Sequence, residues 1–113
     1  MTEETIFSKI LKKEIPCELI YEDDFCIAFD DIAAQAPVHY LVIPKKPIKS
    51  LLDVKKDDEN LLGHLLLVGR KIALQKKISD WRTVINTGEK AGQTVFHLHI
   101  HFLAEREMQW PPG

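Results

Sequence analysis

His97-Leu98-His99-Ile100-His101-Phe102-Leu103 is the stretch on which the reading of this chain turns. Histidines and large apolar residues alternate through it, which is the period-two signature of a strand with one face buried. All three imidazoles then share a face, with successive rings roughly 6.5 to 7 Å apart along the strand. Leu98, Ile100 and Phe102 point the other way and are expected to pack against helices. The spacing predicts one strand over Thr94 to Leu103, entered from the turn between Gly88 and Gly92. Such a strand needs neighbours to pair with and a layer to cover its apolar face.

Working outward, His39 to Ile43 reads as a second long strand, closed by Pro44 and the basic turn Lys45-Lys46-Pro47. Leu19-Ile20-Tyr21 and Phe25-Cys26-Ile27-Ala28-Phe29 flank the polar Glu22-Asp23-Asp24, which predicts a hairpin turning at Asp23-Asp24 and pairing Tyr21 with Cys26. Asp30 to Pro37 follows as a loop, and Thr83-Val84-Ile85 as a further strand. Ile6, Phe7, Ile10 and Leu11 recur at helical spacing between Thr5, a suitable cap, and the stop at Ile15-Pro16. One long helix is expected from Asp57 to about Lys77, on the spacing of Leu61, Leu62, Leu65, Leu66, Val68, Ile72 and Ala73. The expected architecture is α+β, a five-stranded antiparallel sheet with both helices on one face.

The chain has 113 residues, 45% hydrophobic and 28% charged, which suits one globular domain spanning 1–113. A formal charge of -2 with scattered Lys and Arg excludes the electrostatic footprint of a polymeric nucleic-acid binder. A small anion needs only local donors and remains open. The acidic Met1-Thr2-Glu3-Glu4 lacks a basic and apolar leader, and no apolar run approaches the ~20 residues of a membrane span, so a cytoplasmic protein is expected. Cys17 and Cys26 fall out of register for a disulfide and match no paired zinc-knuckle spacing. Both are expected to be structural thiols.

The histidine row suits phosphoryl chemistry. A neutral imidazole is a competent nucleophile near neutral pH, and another ring can donate a proton to the leaving atom. The nucleophilic ring must present one bare nitrogen, so its other nitrogen must give a proton to a fixed acceptor such as a backbone carbonyl. His39 begins another strand and can reach the same face if the two strands are neighbours. The turn Gly88-Glu89-Lys90-Ala91-Gly92 with Gln93 and Thr94 offers donors for an anion. A zinc site is the rival reading of the row, since a His-x-His pair plus a third histidine also holds that metal. His64, alone in the long helix, reads as a structural residue.

Beyond these inferences, the chain resembles the histidine triad superfamily, whose signature alternates three histidines with hydrophobic residues as in 97–103. The likeness extends through Thr5-Ile6-Phe7-Ser8-Lys9-Ile10, Ile15-Pro16, Tyr21-Glu22-Asp23-Asp24, Ala28-Phe29-Asp30-Asp31-Ile32, Gln35-Ala36-Pro37, residues 39–46 and Trp110-Pro111-Pro112-Gly113. It is similar in particular to the nucleotide-binding branch, the purine nucleoside phosphoramidases, which work without a metal or other cofactor. The resemblance implies that His99 attacks the α-phosphorus, His101 binds phosphate and manages the leaving-group proton, His97 orients the nucleophile and His39 stands behind the row. It further implies that Asn86, Gln93 and Thr94 contact phosphate oxygens, and that Asp31 takes the ribose hydroxyls. The same likeness builds a purine pocket from Ile6, Phe7, Ile10, Phe29, Ile32 and Leu41. It implies a homodimer joining two sheets into one of ten strands, with Trp110 approaching the partner's phosphate site.

The chain departs from familiar members at Thr94, where serine is common, at Asp30, where some have histidine, and in the Glu89-Lys90-Ala91 turn. These positions bear on leaving-group preference more than on reaction class. The expected activity is hydrolysis of adenosine or guanosine 5'-phosphoramidates to AMP or GMP. Two other functions fit the same chain: a nucleotide-binding interaction module whose hydrolysis is incidental, and a dinucleoside polyphosphate hydrolase or nucleotidyl transferase. The glutamine between histidines and the long insertions of those last relatives are absent.

Overall fold

A computed structural model describes residues 4–113; Met1-Thr2-Glu3, the start of the acidic segment read as lacking a leader, lies outside the described residues. The chain runs α1 (Ile6–Leu11), β1 (Tyr21–Glu22), β2 (Cys26–Asp30), β3 (Val38–Pro44), α2 (Glu59–Gln75), β4 (Trp81–Val84) and β5 (Ile100–Ala104), with short 3-10 turns at Leu51–Asp53, Lys56–Asp58 and Glu89–Ala91. The strands form one antiparallel sheet in the order β1-β2-β3-β5-β4. The α+β architecture with five antiparallel strands, one short helix and one long helix is therefore as expected.

Alternation along β3 sorts the core into two layers. Tyr40 and Val42 pack with Cys26, Ala28, Leu98, Ile100 and Phe102 against Leu65, Val68 and Ile72 of α2. Leu41 and Ile43 pack with Ile27, Phe29 and Phe7 of α1. The two helices thus cover opposite faces, which corrects the expectation that they share one. The reason is amphipathic length: α2 buries a long stripe over the all-apolar face, whereas α1 is six residues long and lays Phe7 and its neighbours beside the histidines. Gly69 lets α2 approach the sheet closely, since a Cβ there would meet the Phe102 ring at 2.0 to 2.5 Å. The Tyr40 hydroxyl donates to the Gly69 carbonyl at 2.8 Å, with the Tyr40 ring stacked on Phe102.

Side chains tighten the local turns. Thr5 and Ser8 form a reciprocal capping box at the start of α1. In the hairpin the register is Tyr21 with Ala28 and Glu22 with Ile27, two residues away from the expected pairing of Tyr21 with Cys26. Asp23 is the cause: its Oδ1 accepts the amides of Phe25 and Cys26 at 2.7 and 2.9 Å, which moves the turn to Asp24-Phe25. Cys26 belongs to the α2 layer and Cys17 packs against the other, so the sheet separates two free thiols.

β5 is shorter than predicted because its ladder with β3 stops at Val42 and Ile100, two residues before β3 itself ends. Pro44 ends β3, and beyond Ile100 toward the N-terminal side no ladder continues. Leu98 instead donates its amide to the Ile48 carbonyl at 2.7 Å. The backbone remains extended enough to keep the alternation, and Leu98 joins Ile100 and Phe102 under α2.

Candidate active site

His39 on β3, His101 on β5 and His99 just before β5 converge on the α1 side of the sheet, because Leu41 pairs with His101 and side chains two apart share a face. The rings of His99 and His101 are 4.9 Å apart, and those of His39 and His101 are 5.2 Å apart. Phe7 sets its ring edge-on to His99 at 4.9 Å. All four site histidines are pushed below the ordinary value chiefly by burial, His101 to about 4, with further depression there from His99 and His39. Near neutral pH the rings are therefore uncharged, and each has one proton to place.

Hydrogen bonds place those protons. His99 Nδ1 lies 2.8 Å from the His97 carbonyl, which only accepts, so Nδ1 carries the hydrogen and Nε2 is bare. His97 Nε2 likewise donates to the Pro44 carbonyl at 2.8 Å. The Gln35 amide donates to His39 Nδ1 at 3.0 Å, which puts the His39 proton on Nε2, 2.9 Å from His101 Nδ1. His101 Nδ1 then accepts, and its own hydrogen sits on Nε2. The result is a bare nitrogen on His99 next to a donating nitrogen on His101. Asp31 backs the relay: its Oδ2 lies 3.4 Å from His39 Nε2 and 4.0 Å from His101 Nδ1, while Oδ1 accepts the Ala33 amide at 2.9 Å.

His99 and His101 open onto a cavity of about 450 Å³ lined also by Ile6, Phe7, Ile10, Ile15, Pro16, Cys17, Phe29, Asp30, Asp31, Ile32, Ala33, Leu41, Thr94 and Val95. The apolar residues expected to form a base pocket are all in its wall, and Asp31 and Thr94 stand at the histidine end. No buried side-chain nitrogen or oxygen among the described residues lacks a partner, so the unbonded His99 Nε2 reaches the cavity.

Other expected positions stand apart from this cavity. His97 is behind Phe7 and faces a separate cavity with Ser8, Lys12 and Lys45; its carbonyl, rather than its ring, meets His99. Gln93 is buried and its amide is fully engaged, with Nε2 donating to the Lys49 and Val95 carbonyls and Oε1 accepting from Gly88. It has no hydrogen left for a phosphate oxygen, so its place is to brace the 88–95 loop, a correction to the expected contact. Asn86 is half-buried two residues past Val84, the partner of His101, and does not line the cavity. Trp110 is 82% exposed and outside the cavity of its own chain. Sequence reasoning missed the Ile15-Pro16-Cys17 wall, where Pro16 reads only as a helix stop, and it missed Gln35, which acts through its amide and so carries no side-chain signal.

A five-stranded antiparallel sheet with histidines facing a largely apolar cavity defines a class, and comparison with known proteins agrees. A family model described as scavenger mRNA decapping enzyme C-term binding matches residues 4–110. A HIT-like protein of Synechococcus elongatus is 57% identical over 114 residues, covering 100% of both chains, and one of Synechocystis sp. is 54% identical over the same span. Among solved structures, a HIT family hydrolase from Legionella pneumophila superposes with a TM-score of 0.94 at 43% identity, covering 97% of this chain and 100% of that one. A histidine triad protein from Clostridium difficile gives a TM-score of 0.88 at 40% identity, covering 92% of each. The chain belongs to the HIT-like family of histidine triad proteins.

Proposed function

We propose that this chain is a purine nucleoside phosphoramidase, hydrolysing nucleoside 5'-phosphoramidates to the nucleoside monophosphate and an amine without a metal. The observation that carries the reading is the proton placement: His99 offers a bare Nε2 to the slot while His101 offers an Nε2-H beside it. His99 Nε2 attacks the α-phosphorus, a new P-N bond to imidazole forms, and the P-N bond to the amine breaks. His101, taking up a proton as the anionic phosphate binds, gives its Nε2 proton to the departing amine and is left a neutral ring. Water then attacks the nucleotidyl-histidine, passes a proton to His101, and releases the monophosphate with His99 restored. The fixed donors at the site keep both steps close to one geometry.

The apolar wall of Ile6, Phe7, Ile10, Phe29 and Leu41 suits the faces of a purine, and the cavity end at Asp31 suits a ribose diol. Ile32 is 98% exposed although it lines the rim, which suits closure over a bound base. Neutral histidines suit the chemistry because a protonated His99 has no lone pair to give.

Incubation with an adenosine phosphoramidate is expected to release AMP, and His99→Ala to lower turnover at least about a thousandfold while leaving AMP affinity within a few-fold. Turnover in the variant equal to wild type removes the assignment. We also propose a homodimer through the outer edge of β4, which supports no ladder on its far side in this chain. Arg82 of β4 donates to the Gln109 carbonyl at 2.9 Å, so the Trp110 segment starts from that edge. Sedimentation at micromolar concentration is expected to give twice the chain mass; a single-chain mass refutes the pairing.

A further inference from the structure

The α2 side of the sheet carries a second cluster of chemistry-bearing side chains, which the hydrolytic reading leaves unused. Asp23 and Cys26 flank the hairpin turn, and His64 reaches them from α2. One donor atom from each lies within 4.8 Å of the others. His64 Nε2 is 2.6 Å from Asp23 Oδ2, and the Tyr21 hydroxyl donates to that same oxygen at 2.9 Å. We propose that Asp23, Cys26 and His64 bind one borderline-soft divalent cation such as zinc, fastening the β1–β2 turn to α2 on the face away from the histidine row.

The donor set is one nitrogen, one sulfur and one oxygen, which zinc accepts and which magnesium or calcium, needing oxygens alone, does not. Ligand bonds of about 2.0 to 2.3 Å put tetrahedral donors roughly 3.3 to 3.8 Å apart. The His64–Asp23 pair, now bridged by a proton, has to open by about an ångström, and the thiol has to close by a similar amount. Both movements are within the reach of side-chain torsions.

Three features prepare the site. Asp23 Oδ1 is held by the Phe25 and Cys26 amides, which aims Oδ2 at His64, and the Tyr21 hydroxyl supplies an outer partner of the kind that orients ligating carboxylates. The Phe25 ring braces His64 edge-on at 5.5 Å. A cavity of about 280 Å³ lined by Phe25, Asn60, Leu61 and His64 opens to solvent on the His64 side of the cluster. Once the thiol has released its proton to solvent, one carboxylate and one thiolate balance the two charges of the ion, so the occupied site is neutral. The ligands come from three separated positions, which is why no paired-cysteine spacing announces them.

The test is titration of the full chain with cobalt(II), which takes zinc geometries and colours on thiolate binding, in a Cys17→Ser background so that Cys26 is the one thiol. One equivalent is expected to produce a thiolate-to-cobalt charge-transfer band. His64→Ala, a half-exposed position that leaves the core intact, is expected to weaken binding at least tenfold, and Cys26→Ala to abolish the band. Zinc is expected to raise the thermal midpoint of the wild type and not that of His64→Ala. Cobalt bound by Asp31, His39 and His101 gives no thiolate band, so binding there alone counts against the proposal. A band indifferent to His64→Ala also overturns it. Phosphoramidase assays have no part in these readouts, so this site and the hydrolytic one stand or fall separately.

Discussion

The two faces of this sheet are made from alternate residues of the same strands and put them to opposite uses. On the α2 side, Tyr40, Val42, Ile100 and Phe102 are fully buried, and the one polar group among them, the Tyr40 hydroxyl, is committed to the Gly69 carbonyl. On the α1 side, Leu41 and Phe29 share the face with the buried His39 and His99 and the partly buried His101, rings that each retain a nitrogen whose bonding is set by a neighbour. Neighbouring residues on a strand do not touch one another, so β5 can place a cavity-facing ring at His101 and a core ring at Phe102 without compromise. The lesson is a division of labour: one face holds the strand rigid, and that rigidity positions the chemistry on the other.

That division can be broken from either side. The largest effect after removal of the proposed nucleophile, His99, is expected on the histidine face. His39→Ala deletes the group that keeps the His101 proton on Nε2, and roughly a hundredfold loss of kcat is expected with little change in the unfolding midpoint. A loss of stability with unchanged kcat would show that His39 belongs to the core alone. On the α2 face, Gly69→Ala forces a methyl into the Phe102 ring and is expected to destabilise the fold by about 1 to 3 kcal/mol in urea unfolding. Activity per folded molecule should persist; its collapse would mean that the two faces are not independent.

The smallest effect sharpens the comparison through pH. His39, His97, His99 and His101 all have folded values below the 6.5 of an unfolded histidine, His101 at about 4. Between those values the unfolded chain binds more protons than the folded one, so the contribution of these rings is complete above pH 6.5 and is lost as pH falls toward 4. The unfolding midpoint is expected to drop through that window. A midpoint flat from pH 7 to 4.5 would show that burial on the histidine face has no titrational consequence.

Much of this was legible in the residues themselves. The alternation at 97–103 named the face and Thr5 named the cap, whereas the apolar positions of the pocket wall followed from the family resemblance, since by residue type alone they read as core. Elements with internal periodicity were read well, as for α2, while edges governed by a distant partner were not. The hairpin register moved because Asp23 bonds backbone amides, and β5 shortened because the Leu98 amide goes to the Ile48 carbonyl rather than to β3. Gln93 looked like a phosphate ligand by residue type, and only its contacts with Lys49, Val95 and Gly88 revealed a brace.

What the sequence by itself determined is which side chains share a face and which chemistry they can perform, because both follow from covalent geometry and residue type. Tertiary structure alone decided on which face α1 lies, which ring is bare and which one donates. Those outcomes depend on partners far apart in the chain, His39 with His101 and His97 with Pro44, and a proton goes where folding brings an acceptor.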